Sequence, residues 1–270
     1  MAVCRSIGSS LARALPPFVG CEQFWVDTAG DPPHPARGFQ KVTLLIEGKL
    51  KVEYSPPNIY TLNANDVLSI MVGRGVRPKL QSLQGTSTGL HIWIDVPEQY
   101  KRVQPTSLFV HCREGTIVYP FDKVTVRLLS GEAFGQICAK SLTLTPVNMM
   151  KVTIEVGGVF KYSIPDHWNA FLYSISGRGI INDELAIGEM HYVEFAGRLR
   201  KDDSGLLVKI EAIDAQFSGI LCTAESLCQP IYHQGPFVDV STDWISQAFS
   251  DYSNHKNGFE QHQMWNDHPD

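Results

Sequence analysis

Short apolar segments, each closed off by glycine, proline or asparagine, recur along this chain in two successive series, and that rhythm restricts it to a sheet architecture. In the first series Lys41–Ile46 and Lys49–Tyr54 flank Glu47-Gly48 and read as a hairpin. Pro56-Pro57-Asn58 and Asn63-Ala64-Asn65-Asp66 mark turns. Leu90–Val96 alternates at period two and stops at Pro97. After a connector over residues 98–115 the pattern restarts with Lys123–Leu129, Leu142–Thr145, Met150–Val156, Ala170–Ile175 and Leu206–Ile210. Gly157-Gly158, Gly177-Arg178-Gly179 and Asn182-Asp183 separate these segments. Regular short strands build sandwiches or barrels. Two series in tandem predict two barrels, over residues 21–115 and 116–240, behind an N-terminal arm over 1–20. One helix is expected in the closing segment 241–270: Ser241 or Thr242 caps a stretch through Tyr252, with Trp244, Ile245, Ala248 and Phe249 on one face.

Charge narrows the partners. A net charge of −5 over 270 residues leaves no clustered Lys and Arg for binding to nucleic-acid phosphates. No apolar run reaches the roughly 18–20 residues that span a bilayer. The six cysteines are dispersed, without a C-x-x-C pair, and read as reduced thiols of an intracellular protein, cytoplasmic or nuclear. The first 21 residues hold Arg5 and Arg13 and no acid, a pattern shared with transit peptides; an arm packing on the barrel is the simpler expectation. A monomer or weak dimer is expected.

The stretches His34-Pro35-Ala36-Arg37-Gly38-Phe39-Gln40 and Val72-Gly73-Arg74-Gly75-Val76-Arg77-Pro78-Lys79-Leu80 resemble the signature of the pirin family. Further along, Gly89–Pro97, Glu225–Pro230 with Gly235–Val238, and Gln247–Tyr252 with Lys256–Glu260 are similar to other segments of that family in the same order. The resemblance implies an all-β fold of two tandem cupin (jelly-roll) barrels with a short C-terminal helix. It also implies a metal held in the N-terminal barrel by three His and one Glu. Matched residue by residue, His34 is kept, while Ala36, Pro78 and Leu80 stand where the other three ligands are expected. The frame is that of a cupin and the ligand set is not, so no metal and no other cofactor is expected. A set rebuilt around His91, Glu47 and Glu53 is the alternative. His167, Glu189, His191 and Glu194 match no standard ligand spacing and read as solvated loop residues.

Where the family pattern has Trp and Thr, this chain has Ser69 and Met71. If Ala36, Ser69, Met71, Val72, Pro78 and Leu80 all face the barrel interior, the result is a metal-free apolar pocket, to which Trp93 and Glu47 contribute. Such a pocket suits a hydrophobic small molecule. His34, His91, Gln40 and Ser69 are the candidate acids, bases and donors, with Arg74, Glu47 and Glu53 behind them. Arg37 and Arg74 are expected to serve structure, through a salt bridge with Asp66 or another buried carboxylate. The expected activity is a cofactor-free isomerisation, cyclisation (including a pericyclic, Diels–Alder type closure) or elimination, in which shape and orientation lower the barrier. Two readings stand beside it: a non-catalytic binding or regulatory protein, and a dioxygenase with a rebuilt metal site.

Overall fold

The computed structural model describes residues 1–8, 15–54, 58–195 and 206–260. Arg13, Pro56 and Pro57, each used in the sequence reading, lie outside them. Over the described residues the chain forms two compact units. One comprises 1–8, 18–112 and 227–260, and the other 15–17 and 113–226. The first unit thus takes in the segment after 227, which the sequence reading places with the second barrel and the closing segment.

In the first unit, β1 (Ala2–Ile7), β2 (Phe18–Val26), β3 (Phe39–Glu47), β4 (Lys49–Tyr54), β5 (Asn58–Asn63), β6 (Val67–Met71), β7 (Pro78–Ser82), β8 (Ser87–Asp95) and β9 (Thr106–Val110) follow in chain order. They make two sheets, one ordered β1-β2-β8-β3-β6-β9 and the other β5-β4-β7. The Glu47-Gly48 turn is consequently not a hairpin. β3 pairs with β6 and β8, while β4 pairs with β5 and β7, so the chain changes sheets at Gly48 (φ +91°). This corner leaves the apolar faces of the two sheets facing one core.

Register assigns every strand residue to a face. Lys41 pairs with Trp93 and with Ile70, Thr43 with His91 and Leu68, and Glu22 with His91 and Arg5. These residues share the face that carries Phe24, Phe39, Leu45, Leu68, Ile70 and Trp93, which join Leu50, Val52, Tyr54 and Leu80 of the second sheet in one buried cluster. That cluster is the barrel interior. Gln40, Val42, Ser69, Met71, Ile92 and Ile94 occupy the opposite face, also buried.

The second unit has a six-stranded and a four-stranded sheet. Thr116–Phe121, Val124–Ser130, Val147–Ile154, Phe217–Glu225, Trp168–Ser176 and Tyr192–Phe195 form the first, in that spatial order. Val159–Ile164, Leu206–Ala212, Gly179–Ile181 and Leu185–Ile187 form the second. The segment Leu142–Thr145, expected as a strand, is irregular. Among the described residues of this unit no carboxylate, imidazole or amine is buried. Its interior is built on aliphatic and aromatic packing, from Val126, Leu128, Met150, Val152, Phe160, Ile210 and Leu221.

The C-terminal helix α1 (Thr242–Ser253) begins where its cap predicts: Ser241 accepts a hydrogen bond from the Trp244 amide at 3.3 Å. Its buried residues are Ile245, Ala248 and Asp251; Trp244 and Phe249 remain 41% and 38% exposed, so the apolar face is narrower than expected. Asp251 accepts from Arg37 at 2.8 Å, and Arg37 also donates to the carbonyls of Arg74 and Asn257 while its guanidinium lies over Phe259. Arg37 is thus paired with a buried carboxylate, and of the expected alternatives that carboxylate is Asp251 rather than Asp66. Asp66 instead accepts from the backbone amides of Asn63 and Cys112. Gly38, next to Arg37, sits at φ +85°, and a β-carbon there would lie 1.9 Å from the Val238 carbonyl oxygen. Only glycine lets this strand pass the returning C-terminal segment.

Candidate functional site in the N-terminal barrel

The four positions that the resemblance assigns to a metal do converge. The His34 amide donates to the Pro78 carbonyl at 3.4 Å, Asp31 to Leu80 at 2.7 Å and Ala36 to Val76 at 2.9 Å. Three of these four side chains are a methyl, a pyrrolidine ring and an isobutyl group, with no donor atom to offer. The remaining imidazole is committed: His34 Nδ1 lies 3.2 Å from Asp31 Oδ2 at a half-exposed position. A divalent ion needs several converging N, O or S ligands, and the residues present do not fit one. The rebuilt set fails on geometry too. Glu47 is exposed at the end of β3, and Glu53 turns away from the barrel interior to pair with Lys51. Neither reaches His91. Among the described residues no group of three or more His, Cys, Asp or Glu is placed to hold a metal.

The expected pocket is not one space. Ala36, Val72, Leu80 and Trp93 belong to the interior cluster, and Pro78 faces inward beside Tyr54. Gln40 and Ser69 hydrogen-bond each other at 2.8 Å on the other side of the sheet, with Met71 beside them. These three cannot line the volume next to Leu80, and Glu47 cannot line it either.

A different group of polar residues does occupy the interior. On β8, Gly89, His91, Trp93 and Asp95 point inward. A β-carbon on Gly89 would meet the Phe24 ring at 2.3 Å, so its absence lets that ring cross the strand and stack on His91 at 4.3 Å. His91 is completely buried. Its Nδ1 lies 3.3 Å from Glu22 Oε1, while Glu22 Oε2 accepts from Arg5 Nε at 3.2 Å and from its terminal nitrogen at 2.9 Å. A carboxylate only accepts, so Nδ1 carries the hydrogen and Nε2 keeps a lone pair. That Nε2 is buried without a hydrogen-bond partner among the described residues.

Electrostatics favour the neutral imidazole. Burial, reinforced by the charge of Lys41 and opposed by Glu22, pulls His91 down to about 3. Burial alone would raise Glu22; the hydrogen bond from His91, the charge of Lys41 and the bond from Arg5 reverse this and hold its carboxyl well below the usual range. Lys41, also buried, is pulled down to about 8 by burial, against the attraction of Glu22 and Asp31. Arg5, Glu22, His91, Lys41, Asp31 and His34 therefore make one electrostatically connected group. Beside them, Trp93 stacks on Phe39 at 4.8 Å under the Arg5 guanidinium, with its indole nitrogen unpartnered among the described residues.

A stability prediction follows from the sign of these shifts. The folded state disfavours protonated His91, so between pH 6.5 and about 3 the unfolded chain binds the extra proton. Stability contributed by neutral His91 is complete above pH 6.5 and falls as pH drops, by about 1.4 kcal/mol per pH unit. The lowered Glu22 acts in the same direction below about pH 4.3. Urea unfolding at pH 7.0 and 5.5 should show this loss in the wild type, and a His91→Phe chain should lose markedly less. Equal slopes in the two would contradict the assignment.

Sequence reasoning singled out His91 and missed Glu22, Lys41 and Arg5. One signal was available for Glu22: an acid in the mostly apolar segment Phe18–Trp25 has to find a partner once buried.

Comparisons agree with the architecture. A family model described as the pirin C-terminal cupin domain matches residues 149–258. A pirin from Homo sapiens is 32% identical over 270 residues, covering 97% of this chain and 90% of that protein. A pirin-like protein from Solanum lycopersicum is 30% identical over 267 residues, covering 97% and 89%. Among solved structures, a quercetin 2,3-dioxygenase from Acinetobacter baumannii superposes with a TM-score of 0.82 at 19% identity, over 94% of this chain and 90% of its own. The bacterial pirin YhhW from Escherichia coli, in complex with nickel(II), gives 0.65 at 12% identity, over 83% and 92%. These structural likenesses speak for the fold alone. With the motif order, the two cupin-type barrels and relatives matched along nearly the whole sequence, the chain belongs to the pirin family.

Proposed function

We propose that this protein is a metal-independent enzyme that moves a proton on an apolar, carbonyl-bearing small molecule inside the N-terminal barrel, in an isomerisation, elimination or cyclisation. The observation that carries this reading is the His91 Nε2: a lone pair buried in an aromatic and aliphatic interior, without a partner among the described residues, on an imidazole whose other nitrogen is held by Glu22. A neutral imidazole in this setting is a general base, and the Glu22 carboxylate stabilises it when it accepts the proton. The flanking Phe24, Phe39, Trp93, Ala36 and Leu80 suit the hydrocarbon part of such a molecule. His34, at the rim with Asp31, is assigned to access and not to the reaction.

The test follows solvent deuterium into a panel of apolar ketones and enones by NMR, with chelator present throughout. Exchange above the buffer rate that is lost in His91→Gln supports the reading. Exchange found only in a parallel run without chelator overturns it, because a metal would then be required. A second reading is favoured by the close packing of Ala36, Val52, Val72 and Leu80, each no more than 3% exposed: a binding module without turnover. Ligand-induced thermal stabilisation with no exchange anywhere in the panel would establish that reading in place of the first.

A further inference from the structure

One buried nucleophile of the barrel interior has no part in the proton transfer just described. Lys41 stands on the inward face of β3, between Trp93 on one neighbouring strand and Ile70 on the other, and is 3% exposed. Amines are among the side chains least often buried. The groups that face it are Glu22, Asp31 and Arg5, with His91 on the adjoining strand inside the same charged group. Of its apolar neighbours, Trp93 is one that the proposed function assigns to an apolar carbonyl compound.

We infer that Lys41 captures the carbonyl of that compound covalently as a Schiff base, with His91 as the proton carrier; this rests on the reading of the barrel interior as a reaction chamber. The neutral Lys41 Nζ attacks the carbonyl carbon, a C–N bond forms, and the π pair moves to oxygen. One proton of the new ammonium passes through His91 Nε2 to the alkoxide, giving the carbinolamine. A second proton, lent by solvent through His91, goes to its hydroxyl and is returned when the resulting iminium gives up its N–H proton. The C–O bond then breaks, water leaves, and the nitrogen lone pair closes the C=N bond. One carbonyl and one amine give one imine and one water, with no change of oxidation state; hydrolysis reverses it. Burial supplies the free amine: with the ammonium at about 8, roughly a tenth of Lys41 is neutral at pH 7, whereas an ordinary lysine is neutral at only a few parts in ten thousand. An iminium next to the substrate's α-carbon acidifies that carbon, which links this step to a base at His91.

The full chain is incubated with benzaldehyde or 4-phenyl-2-butanone and sodium cyanoborohydride, which reduces an iminium to a stable secondary amine. Proteolysis and mass spectrometry then locate the adducts. The expected result is an adduct on Lys41 that forms at least tenfold faster than on the exposed Lys123 and Lys140. It should be absent in Lys41→Arg, and slowed in a His91→Gln chain whose circular dichroism is unchanged. Adducts on Lys123 and Lys140 with Lys41 unmodified would overturn the inference, as would labelling of Lys41 at the rate of exposed lysines regardless of His91. The two readings separate cleanly. Deuterium exchange that persists in Lys41→Met, with no adduct on Lys41 in the wild type, removes the covalent step and leaves His91 as base. Trapping on Lys41 without exchange removes the acid–base reading and keeps the capture.

Discussion

Replacing His91 by glutamine is expected to lower the rate of deuterium exchange into a bound ketone about 100- to 10,000-fold, the range for removing a positioned general base. Glutamine keeps the approximate volume and a group able to hydrogen-bond Glu22, so the packing against Phe24 survives while the basic lone pair does not. The loss should fall on kcat rather than KM, since His91 acts when the proton moves. Glu22→Gln should lose less: its carbonyl still accepts from Nδ1, but the charge that stabilises the imidazolium is gone. His34→Ala, whose imidazole pairs with Asp31 at the rim, should cost less than tenfold. A large loss in His34→Ala together with an unaffected His91→Gln would move the site to the rim. The pH profile separates the same cases. A base with the depressed titration of His91 stays neutral from pH 7 to 5, so the rate should hold across that range, where an ordinary imidazole would lose most of its activity.

The largest expected loss of stability lies at a buried ion pair away from the His91 site. Lys101 and Asp95 are both completely buried and bonded to each other. Lys101 also donates to the Gly38 carbonyl at 2.8 Å, and Gln229 donates to the second Asp95 oxygen at 2.7 Å. Every strong polar group of this pair therefore has a partner, and each charge depends on the other. Lys101→Met strands the Asp95 carboxylate and should cost about 3–5 kcal/mol, a large share of the 5–15 kcal/mol that holds a typical domain together. The double variant Asp95→Leu with Lys101→Met removes both charges and should be clearly more stable than the single variant. Chemical denaturation of the three chains decides the matter: a double variant as unstable as the single one would show that packing around the Lys101 chain, and not the unpaired charge, sets the loss.

How much of this was legible depended on whether a strand had one face or two to hide. On β4 buried and half-exposed residues alternate, and its limits were read correctly. On β6 every residue is buried, so hydropathy carries no parity and nothing in Val67–Met71 says which side chains look inward. Ser69 and Met71 were grouped with Leu80 for that reason, one face away from where they lie. The Glu47-Gly48 turn has the local chemistry of a hairpin, but partner choice among strands is a property of the whole barrel. Ala36, Pro78 and Leu80 stood out because each offers no donor atom at a position that the family signature assigns to one. The Glu22–His91–Lys41 group was not, because it assembles across three strands from residues far apart in sequence.

The bond between Arg37 and Asp251 joins positions 214 residues apart, and the strand at Phe237–Asp239 closes on Arg37 and Gly38. The first barrel to leave the ribosome is thus the last to be finished. At about 5–20 residues per second, its closing segment emerges on the order of ten seconds or more after Arg37. During that interval the returning strand and helix are missing, and Phe237 and Phe259 have not yet covered their side of the unit. Synthesis order therefore places the whole second barrel ahead of completion of the first, and a ribosome stalled between the two would hold an open, aggregation-prone half.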